Sequence, residues 1–152
     1  MSYSTAQGRQ DLLDAVADAI DDLARALTAL GAAYEQLDEH HADELEERLF
    51  GPVQSAYGRA RRAHSDFAAR HGLAPRAFEM PTASAPSSGV KGFVEEAVAA
   101  AGNADATLAT LQDSMLPIEV GDAELRAGLA NVRELVADVS RHARGLIRTF
   151  GR

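Results

Sequence analysis

The chain has 152 residues, the size of one domain with room for a core of its own, and no cysteine, which excludes disulfides and thiolate metal sites. Its formal charge of −8 is the wrong sign for a nucleic-acid binder, whose phosphate contacts need a basic face. Hydrophobic residues make up 46% but aromatics only 5%, so the core is aliphatic and alanine-rich, which suits packed helices better than a sandwich or barrel.

The opening MSYSTAQGRQDLL has neither the basic start nor the apolar run of a signal peptide, and no stretch approaches the roughly 18 consecutive apolar residues of a membrane span. A cytoplasmic protein without membrane insertion is the expectation. Ser4 and Gln7 form a capping-box pair that opens the first helix. Behind it stands an apolar ladder: Leu13, Val16, Ile20, Leu23, Leu27, Leu30, Tyr34 and Leu37. The steps alternate three and four, the spacing of a heptad seam that buries one stripe of a long helix. The next rungs would be His41, Glu44 and Arg48, so the seam stops. Asp43 with Glu46 is a fresh helix-start signal, which places a turn within 38–43; the alternative is one helix continuing to Leu49 and breaking at Gly51-Pro52.

The second helix, over about 43–71, carries Leu45, Leu49, Val53, Tyr57, Ala60, His64, Phe67 and His71 on one side, with Pro52 kinking it or marking its true start and Gly72 ending it. Residues 73–87, rich in proline, serine and alanine, form a long connection with Phe78 and Met80 as apolar anchors. The third helix, about 88–116, starts near Ser87 or Ser88 and has the seam Val94, Ala97, Ala101, Ala104, Leu108, Leu111 and Met115. Pro117 and Gly121 punctuate the next turn. Asp122 then caps a fourth helix to about residue 150, with the seam Leu125, Leu129, Val132, Val136, Val139, Ala143, Leu146 and Phe150. The expected architecture is a single all-α domain: an antiparallel up-down-up-down four-helix bundle.

Charge is unevenly spread. Asp11, Asp14, Asp18 and Asp21 form an acidic stripe on the first helix. Arg59, Arg61, Arg62 and Arg70 lie on the second, and Arg141, Arg144, Arg148 and Arg152 close the chain. In an up-down-up-down bundle, acid meets a helix N-terminus and base meets helix C-termini, as the macrodipoles favour. The other reading makes the arginines an anion-binding or partner-docking patch.

Three places are candidates for chemistry. His64 and His71 stand on a seam, and level-counting puts His64 beside His142, with Asp14 or Asp18 and Glu95 or Glu96 nearby and small Ala60, Ala97 and Ala101 opposite. Histidines and carboxylates converging between helices are how bundles hold transition metals. Against that, no Glu precedes His64, His71 or His142 by three residues, as di-iron bundles require. A satisfied core histidine is the plainer reading. The second candidate is EHHADELEERLFGPV at 39–53, where His40 and Glu44 share the i, i+4 spacing. This segment resembles a fragment of the hemerythrin HHE family, in which a His-His pair, acidic residues and a Leu-Phe-Pro run share one helix. The resemblance implies that His40 and Glu44 reach one iron. It covers some fifteen residues, and Gly51 interrupts the Leu-Phe-Pro run. The chain has no His before position 40, no His-x-x-x-His, and no acidic residue after His142. The third is Gly102-Asn103 inside the third helix, where a glycine marks a kink, a close crossing or the approach of a ligand. With no catalytic constellation in view, the expected function is a non-enzymatic bundle that binds a protein partner or a second copy of itself, and a metal- or cofactor-binding bundle is the alternative.

Overall fold

The computed structural model describes residues 2–83, 89–120 and 122–150, and all the regular structure among them is helical. In chain order the elements are α1 (Ser2–Glu35), α2 (Glu39–Leu45), a π-helical turn (Glu46–Phe50), α3 (Gly51–Arg70), α4 (Gly89–Asp113), α5 (Leu116–Glu119), α6 (Ala123–Val136) and α7 (Val139–Phe150). Among the described residues no helix is long and apolar enough to cross a membrane. The expected helix start at Ser87 or Ser88, the side chain of Ser4, Gly121 and Arg152 lie outside what is described.

In α1 the ladder is buried from Leu13 through Leu30, and then Tyr34 is 41% exposed. A second stripe, Leu12, Ala19, Ala26 and Ala33, sits one position ahead of it and is equally buried. The helix therefore hides more than a narrow seam. It is flanked on one side by α3 and, most extensively, on the other by α4, whose Ala97, Ala100, Ala101 and Ala104 are also buried. Small side chains on both helices let them approach closely.

α1 ends in tight i→i−3 bonds from Gln36 N–H to Ala33 and from Leu37 N–H to Tyr34. Asp38, not Asp43, caps the next helix: its Oδ1 accepts the His41 backbone N–H at 2.9 Å and its Oδ2 meets His41 Nδ1 at 2.8 Å. These bonds hold the Asp38 carboxyl below its ordinary range, led by the backbone donor. The chain then runs through the π turn into α3 without a break, although Pro52 lies in α3's first turn.

The π turn follows from the seam. Leu45, Leu49, Val53 and Tyr57 are spaced four, four and four. Each four-residue step over-rotates an α-helix by about 40°, so three would swing the last side chain off the core face. A π turn absorbs one extra residue and resets the phase, and all four side chains are buried. Pro52 lacks an N–H, so the Arg48 carbonyl loses its α-helical donor. The ring Nδ1 of His142 donates to that carbonyl instead, at 3.3 Å.

α4 stops at Asp113, short of the expected 116, because Met115 turns into the left-handed region at φ 66°. Ser114 Oγ caps the exit by donating to the Leu111 carbonyl at 2.6 Å. Asp122 is the N-cap of α6, accepting the Leu125 N–H at 2.7 Å. The fourth expected helix is divided between α6 and α7, yet its seam, Leu125, Leu129, Val132, Val136, Val139, Ala143 and Leu146, stays buried across the break.

The direction of α4 corrects the up-down-up-down expectation. A Cβ on Gly8, near the start of α1, would lie 3.0 Å from Val120 and 3.4 Å from Leu116. Arg9 Nε donates to the Val120 carbonyl at 3.2 Å. Asp11 and Ala15 share a groove with Ala106, Thr110 and Leu111. The end of α4, not its beginning, therefore meets the beginning of α1. α3 and α6 pair antiparallel, through Arg70 with Asp122, Ala63 with Gly128 and Arg59 with Asn131. The order is up (α1), down (α2–α3), down (α4), up (α6–α7). The segment after α3 makes the return possible by running back along α1. Arg76 binds Asp21 at 2.8 Å, and Thr28 Oγ1 donates to the Pro81 carbonyl at 3.1 Å. Eighteen residues in extended form reach about 60 Å, more than the length of α2–α3. As a consequence the arginines of α7 lie at the opposite end from the start of the acidic stripe, near α2, where His41 meets the Phe150 ring edge-on at 5.3 Å.

Candidate functional site

His64 is the one polar side chain buried among the described residues, at 2% exposure. It sits on the core face of α3 between Ala60 and Phe67. The returning segment covers it: Phe78 stands edge-on to the imidazole with ring centroids 5.1 Å apart. No hydrogen bond among the described residues engages the ring, and no fully buried side-chain nitrogen or oxygen there lacks a partner, so its polar edge opens to the adjoining groove. Gly58, Arg61, Arg62, Asp66 and Arg76 help wall that groove, a space of about 350 Å³. Burial, then the Arg76 charge, pushes the His64 pKa down, and Asp14 on α1 opposes both. The guanidinium of Arg76 lies over the Phe78 ring at 5.0 Å and that of Arg61 over the Tyr57 ring at 5.4 Å.

The expected neighbours of His64 are found only in part. Asp14 is close enough to act on it. His142 is not a partner: it hydrogen-bonds at Arg48, sixteen residues and about 24 Å of helix away. Glu95 lines a different groove, with Val98, Arg144 and Ile147 between α4 and α7.

His40 and Glu44 do meet, Nε2 to Oε1 at 3.1 Å, on an exposed edge of α2. Glu44 also faces a space of about 370 Å³ that it shares with Arg48, Arg141, His142 and Thr149. Among the described residues no group of three His, Cys, Asp or Glu side chains is placed to hold one ion. His40 and Glu44 supply two donors, and the cations Arg48 and Arg141 line the space beside them. The residues present do not fit an iron centre of the kind the HHE resemblance implies.

The most heavily bonded cluster among the described residues is one that sequence spacing does not announce. Arg70 binds both oxygens of Asp122 at 2.8 Å and reaches Glu124 at 2.9 Å, and His71 Nε2 lies 3.0 Å from the same Asp122 carboxylate. Partial burial raises the Asp122 pKa, but Arg70, the Leu125 N–H and His71 together outweigh it and hold the carboxyl at about 2. This clamp fastens the end of α3 to the start of α6. Gly102, by contrast, is a site of no kind that the structure reveals: it is exposed, and a Cβ there would meet nothing.

A further surface is apolar. Four large apolar side chains stand exposed among the described residues; one of them, Ile118, lies in α5 and another, Met115, immediately precedes it. Leu116 of α5 also lines the adjacent space between α1 and α4, about 520 Å³, with Ala15, Ala106 and Leu111.

Compared with family models, curated proteins and solved structures, the chain matches none.

Proposed function

We propose that this chain is a non-enzymatic, cytoplasmic four-helix bundle that works by docking protein, either another chain or a second copy of itself. The antiparallel pairings of α1 with α4 and of α3 with α6 support the bundle reading, with parallel helices on the diagonals. The observation that carries the docking reading is the apolar corner at α5. Met115 and Ile118 are 49% and 53% exposed beside an open apolar groove, and among the described residues the other exposed large apolar side chains are Tyr34 and Met80. Clustered exposed apolar area at a groove mouth is the ordinary mark of a docking surface.

A photo-crosslinking side chain placed at Ile118 tests this in producing cells. An adduct of twice the chain's mass identifies a second copy, and an adduct of any other discrete mass identifies a different partner. Absence of an adduct at 118, with the protein folded, contradicts the reading. Self-association is checked separately by light scattering over a range of concentrations: Ile118→Glu is expected to abolish the larger species without lowering Tm.

A further inference from the structure

We propose that the groove between the second half of α3 and the segment around Arg76 binds a phosphate or phosphomonoester, held by Arg61, Arg62 and Arg76 above the imidazole of His64. The site lies on a different face from α5 and does not depend on the docking reading.

The first support is uncommitted charge. Arg70, Arg133 and Arg141 each have a carboxylate partner at 2.8 Å. No hydrogen bond or ion pair among the described residues engages Arg61 or Arg62, and both line this groove, although Arg62 also borders the neighbouring space between α3 and α6. Three guanidiniums face it with a single carboxylate, Asp66, in its wall. Asp21 occupies one nitrogen of Arg76, and Asp14 acts on His64 from α1. The surrounding carboxylates balance the three guanidiniums in number, but only Asp21 among them is bonded to one, which leaves Arg61 and Arg62 without a bonded carboxylate among the described residues.

The second is preorganisation. Arg61 and Arg76 lie over aromatic rings, 5.4 and 5.0 Å from the Tyr57 and Phe78 centroids, and these cation–π contacts restrain where the guanidiniums sit. Planar N–H forks match the oxygens of phosphate better than a flexible ammonium would.

The third is His64. A neutral imidazole with no hydrogen-bond partner among the described residues, 2% exposed and open to the groove, is a donor awaiting an acceptor. An anion seated against it favours its protonated form, so binding and proton uptake are linked. Gly58 keeps one wall low: a Cβ there would meet nothing, leaving space for the organic part of an ester.

The test is titration of the intact chain with inorganic phosphate and with phenyl phosphate at constant ionic strength, followed through the His64 ring proton by NMR. The expected result is a saturable shift, with the His64 titration moving to higher pH in the bound protein. Tighter binding of phenyl phosphate points to an ester as the natural ligand, and tighter inorganic phosphate to the free anion. Arg61→Gln with Arg62→Gln, both on the exposed side of α3, is expected to weaken binding by about tenfold or more with Tm unchanged. Arg141→Gln, elsewhere on the surface, is expected to leave it alone. A non-saturating shift, or equal binding by the Arg61→Gln/Arg62→Gln protein, overturns the proposal.

Discussion

Asp122 shows how much one side chain can hold. Its folded pKa of about 2 lies below the unfolded value near 4, so its stabilisation is present above pH 4 and disappears as pH falls from 4 to 2. Because the carboxylate is partly solvated, the contribution is about 1–2 kcal/mol. Asp122→Asn keeps the cap but not the clamp, and is expected to lower stability at pH 7 by that amount and to flatten the acid limb of a urea-midpoint-against-pH curve. His64 acts in the same direction at a different pH. Its folded pKa is lowered, so stability is fully present above the unfolded value near 6.5 and declines as pH falls below it. His64→Gln is expected to remove that slope between pH 6.5 and the lowered value. Gly102→Ala is expected to raise stability by about 0.5–1 kcal/mol, since the added methyl meets no atom and the helix loses a glycine. The cap at Asp122 was readable because an N-cap is a local device, fixed by the residues that follow it. Its clamp was not: Arg70 and His71 lie some fifty positions away, and nothing in their spacing announces the pairing.

At the scale of elements, seams were the legible part. Most apolar rungs of α1, α3, α4 and α6–α7 lie in the core, because a 3.6-residue period is written in the order of the residues; Tyr34 and Met115, late in their seams, are exposed. Helix ends were less so. The sequence places a start signal at Asp43, whereas Asp38 caps α2, because its bond to His41 completes the turn at once. The π turn shows in the sequence only as three successive four-residue steps, beside a Pro52 that by itself signals either a kink or a helix start. Its hydrogen bonding gives a test. His142→Ala leaves the Arg48 carbonyl without its ring donor and is expected to cost about 1 kcal/mol. Pro52→Ala supplies a backbone N–H to the same carbonyl. In that background the His142→Ala cost is expected to shrink, so urea unfolding of the double-mutant cycle yields a coupling of similar size. Purely additive costs would mean that His142 does not substitute for the missing donor.

At the scale of the whole molecule, heptads report that helices pack but not which way each one runs. Direction was hidden in the connection at 73–87, whose length permits either a crossing at one end or a full return. Arg76 with Asp21 and Thr28 with Pro81 decide for the return. That choice reassigns every long-range neighbour: it separates His64 from His142, brings α5 against Gly8, and carries Phe78 over His64 to form the groove. Of the neighbours expected around His64, Asp14 on α1 is close and His142 is not, whereas His40 and Glu44, which one helix supplies, lie 3.1 Å apart.

Chain direction is therefore the claim on which the rest depends, and a chain without cysteine allows it to be tested by engineered disulfides. Gly8→Cys paired with Val120→Cys is expected to form an intramolecular bond on mild oxidation, because a Cβ at position 8 lies within 3.2 Å of both methyls of Val120. Gly8→Cys paired with Val90→Cys, which joins the start of α1 to the start of α4, is expected to stay reduced. Efficient closure of the 8–90 pair with no closure of 8–120 would contradict the fold described here.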